Sequence, residues 1–276
     1  MDIREYSVAD YHVHPDFSFD AEGSIDDYCQ MALAQGLTEI CFTTHYDINP
    51  ILSEKERSMR IDGQLVPHSI ENFGKYYTVV EKAHRQYYRF GLSVKAGAEI
   101  GYFPGCEDEI GRLIKIYPLD HLIGSIHEVE ECCICYGESV KAYSERVGLD
   151  DFISRYFELM KKMVESRLFD VVGHLDRYRT YGKKYYGDKI LQAHSGHIET
   201  IFEAMIKNGV GYEINTLAVH YHEPDYYPSM DIVNLARKMG VKLVTIGSDA
   251  HCPEDLGRDF EMAISVAYEL FPYRGE

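Results

Sequence analysis

Apolar residues along the chain fall into seven short runs, each followed by a longer segment with apolar positions three and four apart. The runs are 8–13, 39–44, 93–98, 121–126, 169–173, 211–215 and 241–246. Their length and the turn residues around them predict strands. The longer segments predict helices. Ser24-Ile-Asp-Asp27 resembles a capping box with Asp in the Glu position, and the helix it opens stops at Gly36. The clearest helix covers 69–90, with Phe73, Tyr76, Tyr77, Val80, Ala83 and Tyr87 on one side. Further helices are expected over 107–116, 150–165, 188–208, 228–239 and 254–271. The segments 47–67 and 128–148 show no period and read as long loops, which in compact domains tend to be lids or binding loops.

Strands that alternate with helices imply a parallel sheet. No linker or composition break divides the series, so one α/β domain spanning 1–276 is expected. Seven short strands with polar residues at their C-terminal ends favour a closed barrel over an open sheet. Active sites of such barrels lie at that rim.

His12 and His14 stand two apart at the end of the first run, so a strand points both to one face. His45, Glu99, His127 and His174 end later runs, and Asp249 and His251 follow the last. A lone histidine at a strand end is more often structural than a ligand. Six at equivalent ends of five strands argue for one shared site. His68, His84, His121, His194, His197 and His222 lie on helices, loops or a strand start and read as ordinary. Imidazole with carboxylate suits zinc, iron or manganese, and this many ligands exceeds what one ion can use. Two or three adjacent divalent ions fit better, with Glu99 as the bridge. Such a cluster makes hydroxide available near pH 7 and clamps phosphoryl oxygens, so phosphate-ester hydrolysis is the first expectation. Amide or cyclic-amide hydrolysis comes second, since no lysine stands at a strand end as a bridging ligand.

Composition narrows the partners. The chain is 45% hydrophobic, enough for a substantial core. It has no apolar run long enough for a transmembrane helix, and Met1-Asp-Ile-Arg-Glu lacks the apolar core of a secretory signal. A formal charge of −17 repels nucleic-acid phosphates and argues against a general DNA or RNA binder. Seven cysteines, an odd number, suggest the reducing cytosol. Cys132-Cys133-Ile134-Cys135 has no second pair at zinc-finger spacing and reads as a plain loop. Nothing in the sequence indicates an oligomeric state.

The series His12-x-His14, Asp20, Thr44-His45, Glu99, Ser125-Ile-His127, Gly173-His174 and Ser248-Asp249-Ala-His251 resembles that of the polymerase and histidinol phosphatase (PHP) family over essentially the whole chain. Gly97-Ala-Glu99-Ile-Gly-Tyr-Phe-Pro-Gly105, Phe169-Asp-Val-Val-Gly-His-Leu-Asp176, Glu213-Ile-Asn-Thr216 and Glu223-Pro-Asp-Tyr-Tyr-Pro-Ser229 are most similar to its histidinol-phosphate phosphatases. The resemblance implies a distorted (β/α)7 barrel holding three divalent ions. His12, His14, Glu99 and Asp249 would hold the first, Glu99, His127 and His174 the second, and Asp20, His45 and His251 the third. A hydroxide between ions would attack phosphorus, and Asp249 or His251 would carry a proton to the leaving alkoxide. The implied reaction is hydrolysis of a small phosphate monoester, L-histidinol phosphate first. Another small phosphorylated metabolite or nucleotide is the alternative. A non-catalytic scaffold is disfavoured by the complete ligand set. Arg177, His220 and Asn215 are the substrate-binding candidates. His220 stands where those phosphatases carry a phosphate-binding arginine, and Arg177 and Arg179 are expected on a surface loop.

Overall fold

The computed structural model describes residues 9–223 and 225–270. β1 (Ala9–Val13), α1 (Ile25–Gln35) and β2 (Glu39–Phe42) lead into an antiparallel hairpin, β3 (Ser58–Ile61) and β4 (Gln64–Pro67). Next come α2 (Ile70–Tyr87), β5 (Ser93–Gly101), α3 (Glu107–Ile116) and β6 (His121–Ser125). A second small hairpin, β7 (Glu128–Val129) and β8 (Cys132–Cys133), precedes α4 (Gly137–Ser144) and α5 (Leu149–Ser166). β9 (Val171–Val172), α6 (Arg179–Tyr186), α7 (Ile198–Asn208) and β10 (Gly211–Asn215) follow. α8 (Leu217–His220), α9 (Met230–Met239), β11 (Leu243–Gly247) and α10 (Phe260–Leu270) close the described chain.

Seven parallel strands pair in the order β1-β2-β5-β6-β9-β10-β11. The ends of this sheet meet through backbone bonds from Asp249 N to His12 O (2.8 Å) and from His14 N to Ala250 O (2.9 Å). These bonds run from β1 to the loop after β11, so closure occurs at the C-terminal rim. β9, with two residues, is the shortest stave and distorts the barrel. No helix among the described residues is long and apolar enough to cross a membrane.

The expected capping box is present, with Ser24 and Asp27 accepting from each other's backbone N–H. Several expectations are corrected. The segment 47–67 contains the hairpin β3–β4, and 128–148 contains β7–β8 and α4, so neither is structureless. The helix expected over 188–208 begins only at Ile198, because Gly196 turns left-handed (φ 84°) just before it. The one expected from 254 begins at Phe260, after left-handed Gly257 and Asp259. Helix α6 was not anticipated. Val8 and Phe271, placed at element ends by the pattern, lie outside the described residues.

Helix α2 shows how the outer layer is fastened. Tyr76 is fully buried, and its hydroxyl donates to Phe42 O (2.6 Å) and Gly97 O (3.0 Å), tying the helix to β2 and β5. Tyr76→Phe keeps the packing and removes the donor to both carbonyls. It should lower the unfolding free energy by about 1–3 kcal/mol in urea titration, with turnover per folded molecule unchanged.

Candidate active site

The C-terminal rim gathers the histidines and carboxylates that the strand ends carry. His12 and His14 are fully buried. The closure of β11 onto β1 brings the Asp249 carboxylate to 3.2 Å from His14 Nε2 and 3.5 Å from His12 Nε2. Gly247 permits it, since a Cβ there would lie 2.3 Å from His12 Cβ. Asp249 itself holds a left-handed backbone (φ 56°), a conformation that Asp tolerates better than most residues.

Glu99, in β5, is 1% exposed and occupies the centre. Its Oε2 lies 3.4 Å from the Nε2 atoms of both His12 and His14 and 3.2 Å from His45 Nδ1. Its Oε1 lies 2.8 Å from His174 Nε2 and 3.2 Å from His127 Nε2, and accepts from Ser125 Oγ (2.6 Å). One oxygen thus faces each of two sets of imidazoles. Further out, Asp20 Oδ2 lies 3.8 Å from His45 Nε2 and 3.7 Å from His251 Nε2.

This donor set fits metal ions. His12 Nε2, His14 Nε2 and His45 Nδ1 are buried without a hydrogen-bond partner. Two ligand atoms about 2.1 Å from one ion at the tetrahedral angle stand about 3.4 Å apart. The spacings of 3.2–3.5 Å around Asp249 and Glu99 Oε2 have that value and are long for hydrogen bonds. Groups able to hold an ion are His12–His14–Glu99, Glu99–His127–His174, His14–His45–His251 and His45–Asp47–His127.

The electrostatics agree. Burial, helped by the His45 and His251 imidazoles, pushes His14 down to about 3, leaving it neutral with a free lone pair. Burial would raise Glu99, but His12 and His127 outweigh it and hold the carboxyl well below its usual range. Asp249 is likewise held low by His12 and His14 against its burial. Burial alone would lower His12, yet Glu213, Asp249 and Glu99 raise it well above its usual value. Carboxylates that favour a proton on His12 favour a metal cation in its place.

Behind the donors lies a supporting layer that the sequence reading did not assign. Glu213 places both oxygens 3.0 Å from His12 Nδ1 and accepts from His174 N (3.0 Å). Carboxylates accept only, so His12 carries its proton on Nδ1 and presents the Nε2 lone pair to the site. Asn215, expected at the substrate, is instead fully buried and donates to Glu213 Oε1 (3.0 Å) and Asp249 Oδ2 (3.2 Å). It orients carboxylates. Arg60, in β3, donates to the carbonyls of Asp16, Ser18, Phe19 and Ala21, which fixes the loop bearing Asp20. The signal for Arg60 was out of reach, because nothing in sequence links a hairpin cation to a loop some forty residues earlier.

A cleft of about 290 Å³ opens over these residues, lined also by Phe19, Glu56, Tyr136, Arg177, His220 and Tyr221. Arg177, expected on the surface, is only 4% exposed. Its guanidinium lies over the Tyr221 and Tyr227 rings and donates to Thr180 Oγ1 (2.9 Å) and Tyr227 Oη (3.1 Å). Among the described residues no carboxylate forms an ion pair with it. Arg179, equally buried, is occupied by Asp176 and Asp225. His220 is exposed at the edge, its Nδ1 2.7 Å from Arg258 Nη1. Cys133 and Cys135, read as part of a plain loop, line this cleft, but no group of potential ligands among the described residues includes a cysteine.

A family model for the PHP domain matches residues 10–217. The chain belongs to the PHP family. This PHP protein is 28% identical over 257 residues to a "probable histidinol-phosphatase" of Deinococcus radiodurans, covering 93% of the chain and 91% of the relative. It is 26% identical over 250 residues to the histidinol-phosphatase of Lactococcus lactis, covering 88% and 83%. Its fold matches the structure of a putative histidinol phosphatase from Listeria monocytogenes, with a TM-score of 0.75 at 19% identity over 92% of this chain and 99% of that one. A Lactococcus lactis histidinol phosphate phosphatase, solved with zinc, L-histidinol and phosphate, matches with a TM-score of 0.72 at 24% identity over 96% and 92%.

Glu213 offers a test of the layer behind the donors. Glu213→Gln keeps the shape but replaces an anion facing His12 with a neutral amide. Competition against a chelator should show metal affinity weakened by about 10–100-fold while circular dichroism stays native. Unchanged affinity would remove Glu213 from the metal site.

Proposed function

We propose that this PHP protein is a metal-dependent phosphatase that hydrolyses L-histidinol phosphate to histidinol and phosphate. The observation that carries this reading is Glu99, with one oxygen toward His12, His14 and His45 and the other toward His127 and His174. His12, His14, Glu99 and Asp249 would hold one divalent ion, Glu99, His127 and His174 a second, and Asp20, His45 and His251 a third. Zinc, manganese and iron all accept such nitrogen and oxygen donors. Bound there, divalent ions would supply an activated water at neutral pH and positive charge for the transferring phosphoryl group.

The remaining work falls to the chain. A buried arginine without a counter-ion is costly, and a phosphate oxygen reached from the cleft would satisfy Arg177 by a charge-assisted hydrogen bond. Glu56 on the cleft wall, with the rings of Phe19, Tyr136 and Tyr221, suits an alcohol that is cationic and partly aromatic, as histidinol is. His251 Nδ1 lies 2.9 Å from Asp249 O. A carbonyl only accepts, so the proton is on Nδ1 and Nε2 turns its lone pair toward Asp20. That commits His251 as a ligand rather than a proton carrier. The acidic surface and seven free cysteines are in keeping with a small-molecule enzyme of a reducing cytosol rather than a nucleic-acid binder.

His220 favours a second reading, another small phosphate monoester on the same machinery. Partial desolvation and the neighbouring Arg258 guanidinium hold its pKa below the usual value, which disfavours the charge a phosphate would need.

Phosphate release measured over a panel of phosphorylated metabolites, on metal-loaded enzyme, separates the readings. Histidinol phosphate should give the highest kcat/KM. Arg177→Met should raise its KM about tenfold or more, matching the loss of one charge-assisted hydrogen bond. Glu99→Gln should remove most activity while the fold remains. A better substrate elsewhere in the panel would support the second reading, and no release from any monoester would contradict both.

A further inference from the structure

We infer that Asp47 and Glu99 complete a second cation position for His45, on the side of its ring opposite Asp20. The inference rests on the multinuclear site proposed above and adds a ligand to it. Asp47 is 6% exposed. Its Oδ1 accepts from Gly101 N (2.8 Å), while its Oδ2 lies 3.5 Å from His45 Nδ1. That nitrogen is buried, has no hydrogen-bond partner, and also faces Glu99 Oε2 at 3.2 Å. Ligand atoms of His45, Asp47 and His127 all lie within 4.8 Å of one another. The separations of His45 Nδ1 from Asp47 and Glu99 match those around His12 and His14.

Gly101 builds the space. A Cβ there would lie 2.6 Å from Asp47 Oδ1 and 3.3 Å from His127 Nδ1, so only glycine lets this carboxylate come so close to the ring. A buried carboxylate with a single backbone donor is poorly compensated, and a cation between Asp47 and His45 offsets its desolvation. On the other side of the ring, Asp20 is a third exposed and farther away, at 3.8 Å from Nε2. A neutral imidazole has one lone pair, so His45 serves one side at a time. The third ion therefore has two alternative seats, an outer one with Asp20 and His251 and an inner one with Asp47 and Glu99 Oε2. The competing view is that Asp47 only orients His45 for the outer seat by accepting its Nδ1 proton.

A double-mutant cycle on metal content decides between them. Wild type, Asp20→Asn, Asp47→Asn and Asp20→Asn/Asp47→Asn are stripped, reloaded with zinc, dialysed and counted by mass spectrometry, with thermal unfolding as the check on folding. With two seats, each single variant keeps the third equivalent and the double variant loses about one whole equivalent. Asp20→Asn/Gly101→Ala should lose it too, because the added Cβ displaces Asp47, and it replaces the double variant if that one does not fold. Full loss in either single variant, or no further loss in the double, overturns the proposal. A wild type that never exceeds one equivalent overturns the multinuclear reading itself, and so tells the two failures apart.

Discussion

A single carboxylate buried among five imidazoles is the constraint on which the rest of the site depends. Glu99 has His12, His14, His45, His127 and His174 within 3.4 Å of its two oxygens, at 1% exposure. The five cannot all donate to two oxygens that also accept from Ser125, and three of the nitrogens facing it, His12 Nε2, His14 Nε2 and His45 Nδ1, have no hydrogen-bond partner. Buried polar atoms without partners each cost about 1–3 kcal/mol. Divalent ions satisfy imidazole lone pairs and carboxylate charge together, which a network of protons does not.

The barrel, in this sense, brings four strand ends to one carboxylate on a fifth. Parallel staves put all their C-termini on one rim, and the closure of β11 on β1 adds Asp249 beside His12 and His14. Glu213 and Asn215, from β10, lock the tautomer of His12 and the angle of Asp249 from behind. Fold and chemistry thus share residues. His12 O is a closing hydrogen bond of the barrel, while the His12 ring is a candidate ligand.

The strands and the inner candidate ligands were legible because periodicity two is a local property, and a histidine at a strand end is visible in one dimension. His12, His14, His45, Glu99, His127, His174 and Asp249 stand at the ends of short apolar runs, and the structure brings them together. What escaped depends on distant chain segments meeting. Asp47 sat in a polar stretch with no period, and its partner, Gly101, comes from another strand. Arg177 read as a loop cation because its tyrosine enclosure is assembled from residues some forty to fifty positions later. Asn215 carried the right strand position, but which way its amide is spent depends on carboxylates in β10 and after β11. The late helix starts were missed for a local reason, glycine and aspartate taking left-handed φ, which their identities permit but do not require.

The central claim is that Glu99 separates two cations. Crystals of the protein grown with zinc, and diffraction recorded above and below the zinc absorption edge, test it without reference to any substrate. The account predicts at least two anomalous peaks flanking Glu99, one against His12, His14 and Asp249 and the other against His127 and His174. A single peak, or zinc only at sites away from Glu99, would contradict it.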